Sequence, residues 1–141
     1  MPLSSLDIIG SALTAERFRA DIIAQNLANA NTTRTEDADP YRRQQVVFEE
    51  VPLSFAQTLK DARSKGGVRV AEVVKSDADF RLVYDPTHPD ANAEGYVEYS
   101  NVDTTEEQVD LLAVSNAYDA NLAALSVVKA MISKTIELGS K

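Results

Sequence analysis

The residues able to do chemistry are few and scattered. The 141-residue chain has one histidine, His88, set between Thr87 and Pro89, and no cysteine. A lone histidine could act as general base in a Ser-His-Asp arrangement, but no nucleophile-elbow pattern accompanies it. Gly66-Gly67-Val68-Arg69-Val70 is too lean in glycine for a phosphate loop and lacks the lysine. Carboxylates cluster at Glu36-Asp37-Asp39, Glu49-Glu50, Asp77-Asp79 and Asp85-Asp90. The Asp77-x-Asp79 pair lacks the glycine and the downstream glutamate of a calcium loop. These acids read as a solvated face, and His88 as an exposed turn residue. The expectation is therefore no catalytic residue, no cofactor and no metal.

Amides are the other polar group with a distinct chemistry. Asn26, Asn29 and Asn31 follow one another in Gln25 to Thr33, where a helix should end. Asparagine tolerates left-handed geometry, so these residues can form a C-terminal cap. The alternative is that Asn26 and Asn29, with Asn121 further on, hydrogen-bond to adjacent subunits.

Both ends of the chain carry apolar stripes that would position such groups. From about Ser4 to Asn31, Leu6, Leu13, Ala20 and Leu27 recur every seven residues, and Ile9, Ile23 and Ala30 hold the matching d-type positions. Glu16 is the one break. Ser4 and Ser5 are expected to cap this helix, with Asp7 in its first turn. From Thr104 to Leu138, Leu111, Tyr118, Leu125 and Ile132 repeat by sevens, with Val114 and Val128 at d-type positions and Asn121 and Thr135 at the remainder. Seven-residue spacing holds one seam against a partner helix. Ile8, Ala12 and Ile22 widen the first stripe, and Ala117, Ala120, Ala123 and Ala124 flatten the second, so each helix has room for more than one neighbour. Glu106, Glu107 and Asp110 at the second helix's start, and Lys129, Lys134 and Lys141 towards its end, complement the macrodipole. Gly139 should end it.

The middle is different. A turn at Asp39-Pro40 precedes a β-branched run, Val46 to Val51, stopped by Pro52. Leu53 to Lys65 fits a short amphipathic helix or an ordered loop. Val68 to Val74, Phe80 to Tyr84 and Gly95 to Asn101 supply three more extended runs. The expected fold is mainly α with a small β part. Residues 1–34 form an N-terminal helix, 35–100 a short-stranded lobe, and 101–141 a C-terminal helix paired with the first as a coiled coil. At about 1.5 Å per residue the helices span roughly 40 and 50 Å, more than the roughly 30 Å of a compact domain of this size.

The net charge of −8 is concentrated in the middle, where residues 35–100 hold thirteen acids and eight bases. No basic stripe offers phosphate neutralisation, which argues against nucleic acid and against anionic membrane surfaces. No uninterrupted apolar run reaches the length of a membrane span. The N-terminus lacks the basic region of a cleavable signal peptide.

Several segments, in order, resemble the bacterial flagellar rod and hook proteins. They are Gln25 to Thr32, Tyr41 to Glu50, Gly66 to Val73, Asp85 to Asp103, and Asn116 to Gly139. Chain length and the Tyr41–Glu50 segment are most similar to the C type of proximal-rod protein. The chain departs from the family at Ser100, where many members have proline, and at Asn116. The resemblance implies a structural, non-enzymatic subunit whose terminal helices pack as a coiled coil along an axial structure. Implied partners are copies of the chain, other rod proteins, and the flagellar type III export apparatus and basal-body base during assembly. Implied placement is the periplasm-crossing rod that carries torque to the hook. Export-competent subunits should leave their apolar faces unburied until assembly, so the terminal helices are expected to order on association. Alternatives are another axial rod protein of the same family, or a secreted coiled-coil adaptor or effector.

Overall fold

The computed structural model describes residues 2–34, 39–51 and 66–139. The element order is α1 (Pro2–Ala28), β1 (Gln44–Glu50), β2 (Val68–Lys75), β3 (Arg81–Tyr84), β4 (Tyr96–Tyr99) and α2 (Thr104–Gly139). The fold is thus mainly helical, with a small strand region between two long helices. The expected element over Leu53 to Lys65 lies outside the described residues, as do Glu36, Asp37 and Lys141.

The helix ends differ in detail from expectation. α1 already begins at Pro2, so Ser4 and Ser5 lie inside it, and no acid stands in its first turn. Proline suits that position because its missing N–H would be unpaired there anyway. α1 stops at Ala28, short of Asn31, where the Asn29 N–H reaches Gln25 O at 3.1 Å and its side-chain amide donates to the same carbonyl at 2.9 Å. α2 is capped by Asp103, whose Oδ1 accepts from the Thr105 N–H at 2.7 Å. Glu106 and Glu107 then occupy the first turn, but no base stands in the last one. Lys134 is instead drawn to Glu137 at 2.9 Å.

The strands form two separate antiparallel pairs, β1 with β2 and β3 with β4. β1 starts two residues earlier than its β-branched run, because the Gln44 N–H is already held by Asn26 Oδ1 at 2.9 Å. A register shift between Val47 and Phe48 bends the first pair. Gly67 lets this hairpin lie close on α1: an added Cβ there would come within 2.5 Å of Ser11 Oγ. That hydroxyl accepts from the Val68 N–H at 3.1 Å.

α1 packs against both α2 and the β1–β2 hairpin. The helices run antiparallel, since Asn26 meets Glu107 while the earlier Arg19 meets the later Asp110. Along α2 every seven-residue position from Glu107 to Ile132 is buried or half-buried, and Thr135 beyond them is exposed. Among the described residues the buried hydrophobic ones are Ala15, Ile22, Ile23, Ala30, Val97, Val102 and Val114. Ala15, Ile22 and Ile23 lie on α1 and Val114 on α2, whereas Val97 belongs to β4, away from the helix pair. Further along, α2 exposes Val127, Met131, Ile136 and Leu138. By length and composition alone α2 is apolar enough to cross a membrane, with an 18-residue stretch of mean hydropathy 1.3. No uninterrupted apolar run of that length is present, but the stretch is broken by few charges, and its alanines and valines raise the mean.

Candidate functional site

The site with the most organised chemistry is a polar node where α1, β1 and α2 meet. Asn26, in the last turn of α1, is 1% exposed. Its Nδ2 donates to Gln44 O at 2.8 Å and to Glu107 Oε2 at 2.9 Å. Its Oδ1 accepts from the Tyr41 hydroxyl at 3.0 Å and from the Gln44 N–H. The amide's full capacity, two donors and two acceptor sites, is filled within the chain.

Glu107 is likewise 1% exposed. Its other oxygen, Oε1, accepts from Arg43 Nε at 2.6 Å. The remaining Arg43 nitrogens reach Glu106 at 2.9 Å and Asp110 at 3.3 Å, and Arg19 meets Asp110 at 3.7 Å. A carboxylate this deep is tolerable because both oxygens are answered by charge-assisted or amide donors. Burial, and secondarily the negative charge of Glu107, raises the Tyr41 hydroxyl above its ordinary pKa of 10.0.

A second layer ties the strands to this node. The Arg43 N–H donates to Asn101 Oδ1 at 2.7 Å, and Asn101 Nδ2 donates to Ala78 O at 2.9 Å. Arg42 donates to the Ser76 and Ala78 carbonyls and stacks 4.2 Å from the Phe80 ring centroid. The node thus brings together residues from the Asn-rich segment, the Tyr41–Gln44 segment, Asn101 and the start of α2. All but the start of α2 stand in stretches that carry the family resemblance.

The seam residues lie along the two helices. Leu6, Ile9, Leu13 and Leu27 are half-buried and Ile23 is buried on α1; on α2 Val114 is buried, while Leu111, Tyr118, Leu125, Val128 and Ile132 are half-buried. Ile8, expected to widen the first stripe, is 42% exposed. Among the candidate inter-subunit amides, Asn26 has no donor or acceptor left to offer. Asn29 acts locally, donating to Gln25 O and accepting from the Thr32 hydroxyl at 3.2 Å. Asn121 is half-buried on the α2 stripe.

His88 Nδ1 accepts the Asp90 N–H at 3.1 Å, so the ring closes its own turn. The Thr33 hydroxyl donates to Asp90 Oδ2 at 2.8 Å, and the Thr87 hydroxyl to Asp85 Oδ1 at 2.7 Å. Among the described residues no group of three metal-ligating side chains gathers.

Sequence reasoning did not single out Tyr41, Arg43 or Glu107 as a unit. A signal existed: Glu107 stands seven residues before Val114 and so occupies a seam position, where a charge requires a partner. The Arg42-Arg43 doublet was the available base. Nothing local, however, joins positions 64 residues apart.

Known proteins resemble the chain over nearly its whole length. Residues 6–34 match the family described as flagella basal body rod protein, and residues 93–138 match the flagellar basal body rod FlgEFG protein C-terminal family. The chain is 44% identical to the flagellar basal-body rod protein FlgC of Bacillus subtilis, covering 96% of each chain. It is also 44% identical to that of Salmonella typhimurium over 97% of each. Identity to FlgC of Borreliella burgdorferi is 38%, over 96% of this chain and 95% of the relative. The likeness runs through both helices and the strands whose residues build the node, and on that ground the chain belongs to the FlgC family of flagellar basal-body rod proteins.

Proposed function

We propose that the chain is a structural subunit of the proximal rod of the flagellar basal body, part of the shaft that transmits torque from motor to hook. The near-full-length likeness to FlgC carries this reading, and the geometry is consistent with it. The seam residues Leu6, Ile9, Leu13, Ile23, Leu27, Leu111, Val114, Tyr118, Leu125, Val128 and Ile132 hold the helix pair in the assembled rod. The outer face of α2, with Val109, Leu112, Val127 and Met131 exposed, packs on neighbouring subunits. That use of the face accounts for its apolarity without a membrane: helices that must repeat contacts without closing need apolar surface on more than one side.

In this reading 1–34 and 101–141 form the axial part and 35–100 the lobe that distinguishes the subunit. Its partners are further copies and other rod proteins. The flagellar type III export apparatus delivers it, and the rod crosses the periplasm. Replacing Leu13 or Leu125 by aspartate buries an unpaired charge in the seam and abolishes swimming and recovery of the chain in purified basal bodies. Normal motility with both substitutions would sink the reading.

A further inference from the structure

The helix seam holds two carboxylates, and only one is answered. Glu107 on α2 has both oxygens bonded within the chain. Glu16 on α1 takes the seam position between Ile9 and Ile23, and its Oε2 is the one buried side-chain oxygen or nitrogen among the described residues with no hydrogen-bond partner. A buried, unpaired carboxylate oxygen is destabilising in the isolated chain, so its presence there calls for a donor from outside.

Space for one lies beside it. Glu16, Arg17 and Ala20 of α1 and Val114, Ser115, Tyr118 and Asp119 of α2 line a cleft of about 560 Å³. The small Ala20 side chain leaves room in this lining, and Asp119 adds a second acid to it. With two acids against one arginine the cleft favours a cation.

We infer that this cleft receives a lysine side chain from a second copy of the chain, and that the lysine is Lys129. This deepens the proposed rod function and rests on it. Charge complementarity selects the occupant. Of the bases on α2, Lys134 is paired with Glu137, whereas Lys129 is exposed and has no ion pair among the described residues. It stands between Val127 and Met131, which are 59% and 61% exposed, so apolar surface arrives with the ammonium group. Lys129 lies ten residues beyond Asp119, about 15 Å along the helix. Two copies joined this way are displaced along the axis, and the contact is heterologous and repeats instead of closing.

The test uses the full-length chain in a flagellated host whose own copy has been deleted, with the chain quantified in purified basal bodies. Glu16→Lys and Lys129→Glu are each expected to lower incorporation by about tenfold or more, since like charges then meet; the combined exchange should restore it. Glu16→Gln, nearly equal in shape, guards against a folding defect: it should lower incorporation with a urea midpoint at or above that of the parent, since it removes a buried unpaired charge. Glu16→Cys with Lys129→Cys should give copy-to-copy disulfides in basal bodies. If the unaltered chain never enters basal bodies, the rod function itself fails. If it enters, but the exchange does not restore incorporation and the cysteines do not link, the Lys129 contact is overturned. Full incorporation of Glu16→Gln would overturn it as well.

Discussion

At the scale of single residues, the polar node is where substitution should cost most. Arg43→Met strands Glu107 as an unpaired buried carboxylate, and breaking such a pair typically costs about 3–5 kcal/mol. Arg43→Met combined with Glu107→Met should recover much of that loss, because no charge then remains buried. Denaturant unfolding of the two variants and the parent checks the order. The pH dependence follows from three groups. Hydrogen bonds from Thr87 lower the Asp85 carboxyl below its ordinary 3.8, and those from the Thr105 and Glu106 N–H groups lower Asp103. Each binds its proton less well folded than unfolded, so its stabilising contribution is present above that ordinary value and is lost as pH falls below it. Tyr41 runs the other way: folding favours its neutral form, so stability declines as pH rises through 10.0. A stability profile by chemical denaturation should therefore fall at both ends, and Tyr41→Phe should flatten the alkaline limb.

At the scale of elements, the periodicities were legible and the ends were not. Four extended runs became four strands with small shifts at their limits. The shifts trace to contacts made across the chain, such as the Asn26 amide starting β1 at Gln44. Turn chemistry is more local. Gly95 has a φ of +83°, and a Cβ there would lie 2.9 Å from Tyr84 Cε2 and 3.2 Å from Pro86 Cβ. The Gly95 carbonyl also accepts the Asp85 N–H at 2.9 Å, closing the β3–β4 connection. Gly95→Ala should lower stability by more than about 1 kcal/mol, as alanine is strained at positive φ. A urea melt measures this, and loss of the Tyr84–Tyr96 edge contact, with centroids 5.3 Å apart, should appear in the ring chemical shifts.

At the scale of the whole molecule, burial is uneven along the helix pair. The deepest residues lie near the node, while the seam of α2 beyond Tyr118 is half-buried as far as Ile132 and exposed at Thr135, with open apolar surface elsewhere. Hydrogen exchange on the free chain should therefore protect the amides around Asn26 and Val114 longest and those from Val127 to Leu138 least. Uniform slow exchange to the end of α2, or a fully helical, cooperative melt in dilute solution, would contradict ordering on assembly. The sequence by itself determined that the two ends are striped helices, that short strands lie between them, and which family the motifs resemble. Those properties are written in spacing, which neighbouring residues carry. It also marked Glu16 as a break in one stripe. Only the tertiary structure decided that Glu107 is answered and Glu16 is not, and that Asn26 serves the chain's own interior. A hydrogen bond requires its partners within about 3 Å, and residues 64 and 81 positions apart come that close only after the helices have paired.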